Sequence, residues 1–133
     1  MEMRGDDLLR RPVRVRGILL GKAVDVLLHP TEPQALGFDV LCGDERHRFL
    51  PLTAAEVRDD HLEAASPLVL LDLRPGGFYR TEARPLSELR GRRVDGSQLD
   101  DVVLGPDGSV VELVLRNGKR LPLDGIVLPQ RPR

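Results

Sequence analysis

The stretches RFLPLTAAEV (residues 48–57) and KRLPLDGIVL (residues 119–128) decide the fold, because the chain carries nearly the same pattern twice. In each stretch a basic residue precedes Leu-Pro-Leu, and a short loop and a valine follow. Length changes confined to turns are typical of two copies of one unit, so the sequence predicts a tandem repeat. The matching positions are Asp25-Val26 with Asp101-Val102, Pro30 with Pro106, the set Leu36, Phe38 and Val40 with the set Val111, Leu113 and Leu115, Gly43 with Gly118, and Pro51-Leu52 with Pro122-Leu123.

A period of two in the apolar residues predicts strands within each copy. The segments PVRVRG (12–17), ALGFDVL (35–41) and SVVELVLR (109–116) alternate apolar and polar residues, as half-buried strands do. Short strands separated by frequent turns predict an all-β fold. We expect two small barrels in tandem, with short helical turns, packed on each other.

Local signals predict how these strands connect. Thr53 and Glu56 have the spacing of a capping box, which predicts one helical turn. The segment FYRTEA (78–83) is predicted as a strand, and PLSEL (85–89) as a short turn or helix. The dipeptide Asn117-Gly118 predicts a hairpin with a type I′ turn, because both residue types tolerate positive φ.

The repeat also predicts the domain boundaries. The first unit is expected to span residues 8–73 and the second residues 78–129, with a flexible tail at 130–133. Units of about 60 residues are marginal alone, so the copies are expected to share their apolar faces. The second copy ends early, and an open sheet edge needs cover. The candidates are a strand at 78–83, the other copy or a second chain, so a homodimer is an open alternative.

The second copy, LSELRGRRVDGSQLDDVVLGPDGSVVELVLRNGKRLPLDGIVL (86–128), resembles the PRC-barrel family. Leu89, Gly91 and Val94 fit the family's Leu-x-Gly-x-x-Val pattern. Asp-Val in a strand, a Pro-Asp-Gly turn and a strand ending in Pro-Leu follow, and residues 17–57 fit the same pattern more loosely. The resemblance implies a compact barrel that binds other macromolecules. Neither the membrane anchoring of reaction-centre H subunits nor the ribosomal role of the maturation factor RimM is implied for this chain.

Composition narrows the classes of function. Aromatic residues make up only 3% of the chain and Trp is absent, so aromatic platforms for single-stranded nucleic acid or sugars are scarce. The net charge of −1 argues against a dedicated nucleic-acid binder. Cys42 is the single cysteine, which suits a reducing compartment. No signal peptide and no apolar run of about 20 residues is visible, so we expect a cytoplasmic protein without membrane insertion.

The sequence predicts no catalytic, cofactor-binding or metal-binding residues. His29, His47 and His61 are scattered, and Cys42 lacks a Cys-x-x-Cys partner. A Cys42–His47 pair is the alternative to a structural thiol. The adjacent carboxylates at 6–7, 59–60 and 100–101 would point to opposite faces of a strand, which makes each a poor two-carboxylate site.

Arginines are the predicted partner-binding residues. Arg10, Arg11, Arg14 and Arg16 open the first copy, and Arg90, Arg92 and Arg93 occupy a comparable place in the second. The five candidate partner-binding residues are Arg14, Arg16, Arg90, Arg92 and Arg93. A pseudo-twofold relation would place the two groups on one surface, suited to phosphate or carboxylate partners. The alternative is that these arginines form a solvent face paired with nearby acidic residues.

The predicted function is therefore a non-catalytic cytoplasmic protein-interaction module of the PRC-barrel type. The alternative is an RNA- or ribosome-associated factor that uses the arginines. No cofactor is expected, and the partner protein and the biological process are not indicated by any motif.

Overall fold

A computed structural model describes residues 3–73, 77–123 and 128–130. The chain is mostly β and its strands form a curled, half-barrel arrangement, which confirms the all-β prediction. Two sheets contain thirteen strands, and three one-turn α-helices and two 3₁₀ turns connect them.

The strands are β1 (Met3–Arg4), β2 (Pro12–Val15), β3 (Ile18–Leu28), β4 (Ala35–Cys42), β5 (His47–Pro51), β6 (Ala55–Val57), β7 (Leu62–Ala64), β8 (Leu71–Asp72), β9 (Arg84–Pro85), β10 (Arg93–Val94), β11 (Ser97–Leu104), β12 (Val110–Leu115) and β13 (Arg120–Pro122). The helices are α1 (Gly5–Leu8), α2 (Phe78–Thr81) and α3 (Leu86–Leu89), and the 3₁₀ turns are Leu52–Ala54 and Pro67–Val69.

The larger sheet has the strand order β6-β7-β2-β3-β4-β5-β8, with β9 also paired to β3. The smaller sheet has the order β1-β11-β12-β13, with β10 also paired to β11. All pairs are antiparallel except β2 with β7, which run parallel.

The central pairs of the two sheets have the same register. Val26 lies opposite Phe38 in the larger sheet, and Val102 lies opposite Leu113 in the smaller one. Both pairs are interrupted twice, once just before Asp25 or Asp101 and once further along the strand at matching positions. Since the matching residues differ by 76 or 75 positions, the offsets read from the sequence also relate the two backbone ladders.

Each sheet receives a two-residue strand from the other half of the sequence. In the smaller sheet Met3 lies opposite Leu104, and in the larger sheet Arg84 lies opposite Leu28. The helices α1 and α3 follow these strands at once and therefore lie against the sheet of the opposite half. The predicted first residues of the two units, 8 and 78, both lie between the crossing strands β1 (residues 3–4) and β9 (residues 84–85).

A short symmetric bridge joins the halves at Gln34 and Ser109. The amide of Ala35 donates to the carbonyl of Gly108 at 2.8 Å, and the amide of Val110 donates to that of Pro33 at 2.8 Å. Donors and acceptors on the two sides are 75 residues apart, so the bridge lies on a local twofold axis.

Two aspartates hold the exchanged helices. The Asp25 carboxylate accepts hydrogen bonds from the Ser87 amide at 3.1 Å and from its own neighbour Val26 at 2.9 Å. The Asp101 carboxylate accepts from the Asp6 amide at 3.1 Å and from Val102 at 2.8 Å. Because the first amides of a helix have no partner within it, each aspartate satisfies a donor of the helix that crosses to it.

Arg84 adds a second connection between the halves. It is almost fully buried, and its guanidinium donates to the carbonyls of His29 at 2.6 Å, Glu32 at 2.7 Å and Pro129 at 3.2 Å. Burial lowers the pKa of Arg84. These bonds fix the loop after β3 and the segment at 128–130 against β9.

One hydrophobic cluster contains buried side chains from both sheets, among them Phe38 and Leu50 from the larger sheet and Leu99 and Leu113 from the smaller one. A contiguous core of this kind marks one cooperative unit. A second, smaller cluster groups Leu27 with Phe49, Leu73 and Ala83.

The local predictions have mixed outcomes. The helical turn expected around Thr53 is present as the 3₁₀ turn Leu52–Ala54, but no side chain caps it and Ala55–Val57 is extended because it pairs with β7, so the predicted capping box does not form. Residues 78–81 are helical rather than extended, which places Tyr79 in a stack on Phe49 with ring centroids 3.8 Å apart. The short helix predicted within 85–89 is present as α3.

The hairpin at Asn117-Gly118 exists but its turn type differs from the prediction. Only Gly118 has positive φ there, and a three-residue loop is closed by hydrogen bonds between Leu115 and Lys119 and between Gly118 and Leu115. Two consecutive positive φ values, the mark of type I′ turns, occur instead at Arg16-Gly17 and Asp95-Gly96.

Replacement of Asp101 by Ala should lower the free energy of unfolding by about 2–4 kcal/mol, because buried amides would lose their acceptor and Arg4, 3.1 Å away, its partner. Urea denaturation measures the effect. Asp100→Ala is the matched control: that side chain is half exposed and 3.8 Å from Arg4, so a change within about 0.5 kcal/mol is expected. Equal losses in both variants would contradict the capping role of Asp101.

Candidate functional site

A groove of about 440 Å³ runs beside the hairpin formed by β2 and β3 and is open to solvent on one side. Its floor is apolar and its rim carries three cationic side chains, Arg10, Arg14 and Lys22. The remaining lining residues are Pro12, Leu19, Leu20, Gly21, Leu41, Cys42 and Gly43.

The β2–β3 hairpin explains why apolar side chains face solvent here. Along β2, Val13 and Val15 are buried, so the alternate position Arg14 lies on the outer face. The tight turn at Arg16-Gly17 reverses the chain, and Ile18 and Leu19 emerge 67% and 59% exposed. Large apolar residues this exposed add unfavourable contact with water, which a binding partner would remove.

The hairpin is an addition to the larger sheet. The pairs Pro12–Lys22 and Val13–Gly21 have counterparts between β10 and β11 in the smaller sheet. Two further pairs beyond them, Arg14–Leu19 and Val15–Ile18, have none, because the chain of the smaller sheet turns at once through Asp95-Gly96. The groove therefore depends on the residues by which the two halves differ.

Gly21 keeps the floor of the groove flat. It lies opposite Cys42 in the β3–β4 ladder, and a Cβ atom at this position would collide with the carbonyl of Leu41 and the backbone of Cys42. Glycine in a strand interior often marks such a close backbone approach.

The rim cations are available for binding. Arg14 donates one long bond, 3.4 Å, to the carbonyl of Gly17 and forms no ion pair within the described chain. Neither the Arg10 nor the Lys22 side chain is ion-paired to a described residue either. Arg48, in an adjoining groove of about 270 Å³, is different because it binds the Asp44 carboxylate at 2.8 Å and lowers the pKa of Asp44 to about 2.

The adjoining groove extends the apolar surface. It shares Leu20, Cys42 and Gly43 with the first groove and continues to Pro67 and Leu70. The combined surface therefore reaches from the β2–β3 hairpin to the 3₁₀ turn before β8.

The five predicted arginines do not all line the groove. Arg14 lines it, and Arg16 lies in the hairpin turn beside it with its amide bound to the Glu63 carboxylate at 2.9 Å. Arg90 forms an ion pair with Asp6 at 3.1 Å. Arg92 and Arg93 are exposed near β10 and are not among the lining residues.

Lys22, Leu19 and Leu20 are groove residues that the sequence analysis did not single out. The available signal was the apolar run 18–20 directly after Arg16-Gly17. An Arg-Gly pair flanked by alternating residues permits a tight hairpin, and such a hairpin leaves residues at its tip in solvent.

A second, polar cavity of about 160 Å³ lies between β3, β4, α2 and α3. Asp25 and Asp39 stand opposite each other in the ladder and both line it. Burial raises the pKa of Asp25, the charge of Asp39 raises it further, and the bonds from Ser87 act in the opposite direction. Asp39 accepts from His47 at 2.7 Å and lies 4.0 Å from Arg80.

The matching aspartate of the smaller sheet has a different environment. Asp101 lies 3.1 Å from Arg4 and 4.0 Å from Arg90. The pairing of β9 puts Pro85 where Arg4 stands in β1, and Val114 occupies the place that Asp39 has in the larger sheet. Asp25 therefore has a second carboxylate nearby where Asp101 has cations.

The histidines are held by local hydrogen bonds. The Nδ1 of His29 accepts from the amides of Thr31 and Glu32 at 3.1 and 2.9 Å. His61 lies between Asp60 at 2.7 Å and Glu63 at 2.9 Å, and both hydrogen bonds raise its pKa.

The thiol of Cys42 is buried, lies 3.9 Å from the Val40 carbonyl and also interacts with the Arg48 side chain. Within residues 3–73, 77–123 and 128–130, no three His, Cys, Asp or Glu side chains are grouped so that they could hold a metal ion. The helices of the same ranges include none that is long and apolar enough to span a bilayer.

No protein-family model matches the chain, and no curated protein matches it significantly.

Replacement of Asp25 by Asn should change the pH dependence of stability in a defined direction. Since folding raises the pKa of Asp25, its contribution is present below the ordinary aspartate pKa and is lost as the pH rises through the raised value. The stability advantage of the wild type over Asp25→Asn should therefore fall as the pH rises above the ordinary aspartate pKa of 3.8, as measured by urea denaturation at a series of pH values.

Asp44→Asn is the control of opposite sign. The pKa of Asp44 is lowered to about 2, so its contribution is present above the ordinary aspartate pKa and is lost as the pH falls toward about 2. For Asp25 itself, the opposite result would be a wild type whose free energy of unfolding exceeds that of Asp25→Asn by more at higher pH. That result would show that the folded state stabilises Asp25 as a carboxylate.

Proposed function

We propose that this chain is a non-catalytic protein-interaction module whose partner binds in the groove beside the β2–β3 hairpin. The observation that carries the proposal is the pair of exposed residues Ile18 and Leu19 next to an apolar floor with a cationic rim. Exposed apolar surface bounded by polar groups is typical of sites that bind other molecules.

The scaffold proposed for this module is two PRC-barrel-like units in tandem. Support comes from the equal registers of β3–β4 and β11–β12, the symmetric bridge at Gln34 and Ser109, and the two aspartates with equivalent capping bonds. Two related halves allow one half to change while the other retains the common structure. In this proposal the first unit alone has the longer hairpin and the binding surface beside it.

The hydrogen bonds and burial of the reactive side chains favour a binding role over catalysis. His29 and His61 are held by hydrogen bonds to neighbouring residues, and the Cys42 thiol is buried at the groove floor. A nucleophile needs a base within about 3 Å that is itself oriented toward it. His47, the histidine considered as a partner of Cys42 in the sequence, donates to the Asp39 carboxylate at 2.7 Å instead. No hydrogen bond between the thiol and His29, His47 or His61 is present in the described part of the chain.

The test is capture of partners from the cells that produce the protein, with and without nuclease, using the wild type and Leu19→Asp. The substitution places a charge on the apolar rim and should abolish recovery of the wild-type partner, because the partner must desolvate this position. Leu19 is 59% exposed, so stability should change by no more than about 0.5 kcal/mol.

Phe78→Asp is the matched control. Phe78 is 50% exposed, lies in α2 and lines neither groove, so the same substitution there should leave recovery unchanged. Equal recovery by wild type and Leu19→Asp would contradict the groove as the binding site. Recovery that nuclease removes would favour the RNA-associated alternative.

A further inference from the structure

We propose that the groove recognises an acidic peptide segment with an apolar residue at its centre. This inference rests on the proposed function, because it specifies the chemistry of the partner at the same site. The groove combines an apolar floor, including Leu20 and Leu41, with the rim cations Arg10, Arg14 and Lys22.

The floor sets the apolar part of the ligand. Leu19 and Leu20 line the groove from β3, Leu41 lines it from the neighbouring strand β4, and glycine at position 21 permits the close approach of these two strands. An aliphatic side chain of the partner would be covered on two sides and would displace water from this surface. The groove is open on one side, so the peptide backbone would remain near its mouth.

The rim sets the charge of the ligand. Arg10 and Arg14 offer guanidinium groups, which match the two oxygens of a carboxylate, and Lys22 offers an ammonium. The protein as a whole carries a net charge of −1, so the attraction is local to this rim rather than a property of the entire surface. Acidic residues on both sides of the apolar residue would place their carboxylates at the rim.

A peptide fits this surface better than a nucleic acid does. Single-stranded nucleic acids gain much of their affinity by stacking bases on aromatic side chains. No aromatic residue lines the groove within the described chain, and Phe49 and Tyr79 are stacked on each other beside β5 and α2. The rim cations would pair with phosphates as well as with carboxylates, so the absence of a surface on which bases can stack is what favours a peptide.

Selection from a random peptide library displayed on phage tests the inference with the full-length protein. The wild type is compared with the triple variant Arg10→Glu, Arg14→Glu, Lys22→Glu. A control triple variant, Arg92→Glu, Arg93→Glu, Lys119→Glu, has the same net charge but changes exposed cations that do not line the groove.

Wild type and control should enrich peptides in which Asp or Glu flank Leu, Ile, Val or Phe. The rim variant should lose these peptides and enrich Lys or Arg at the flanking positions. The strongest wild-type peptide, synthesised with a fluorescent label, should bind the rim variant at least about tenfold more weakly and the control within about twofold, with affinity falling as salt rises.

Several results would overturn the inference: no enriched peptide, enrichment without acidic residues, equal binding to the rim variant, or displacement of the labelled peptide by an RNA oligonucleotide or by anionic phosphatidylserine vesicles at lower concentration. Circular dichroism checks that the rim variant is folded. If it is not, Lys22→Glu alone is used, because Lys22 is exposed, and a roughly threefold loss is expected.

The two proposals fail in different ways. If Leu19→Asp abolishes capture of the cellular partner but the rim variant captures it normally, the groove is the binding site and the acidic ligand is wrong. If neither variant changes capture, the groove itself is not the site.

Discussion

The structure depends on two carboxylates that hold helices from opposite halves of the chain. Asp25 accepts from the first turn of α3, and Asp101 accepts from the first turn of α1. A buried carboxylate needs several donors to remain in a protein interior, and a helix start has amides without internal partners. Because each short strand and helix crosses to the other sheet, each carboxylate gains a donor and each helix start gains an acceptor. The shared core and the bridge at Gln34 and Ser109 follow from that crossing.

The same crossing explains where the two halves could diverge. Residues near the bridge and the capping aspartates take part in both halves, so a change there affects the whole fold. The β2–β3 hairpin contributes Val15 to the shared core, but its tip is exposed at Ile18 and Leu19, and neither of these residues takes part in the bridge or the capping bonds. The groove is thus located beside the exposed tip of the additional hairpin.

Asp25 and Asp101 occupy matching positions in the two backbone ladders but have differently charged neighbours. Asp101 lies beside Arg4 and Arg90, whereas Asp25 faces Asp39 across the ladder. The difference comes from the residues at matching positions, such as Pro85 against Arg4 and Asp39 against Val114, and not from the backbone. Burial then acts on a carboxyl that lacks a nearby cation, which is why the pKa of Asp25 is raised.

The sequence by itself determined the strand content, the offsets of 76 and 75 residues that also relate the β3–β4 and β11–β12 ladders, and the presence of a short helix at 86–89, because alternation and turn chemistry act locally. The tertiary structure decided that Ala55–Val57 is a strand, since its pairing with β7 outweighs the capping signal at Thr53. It also decided that the strands at 3–4 and 84–85 cross between the sheets, and that Arg10, Arg14 and Lys22 share one rim. Pairing between distant segments is set by the packing of the whole core, which a local pattern in the sequence does not contain.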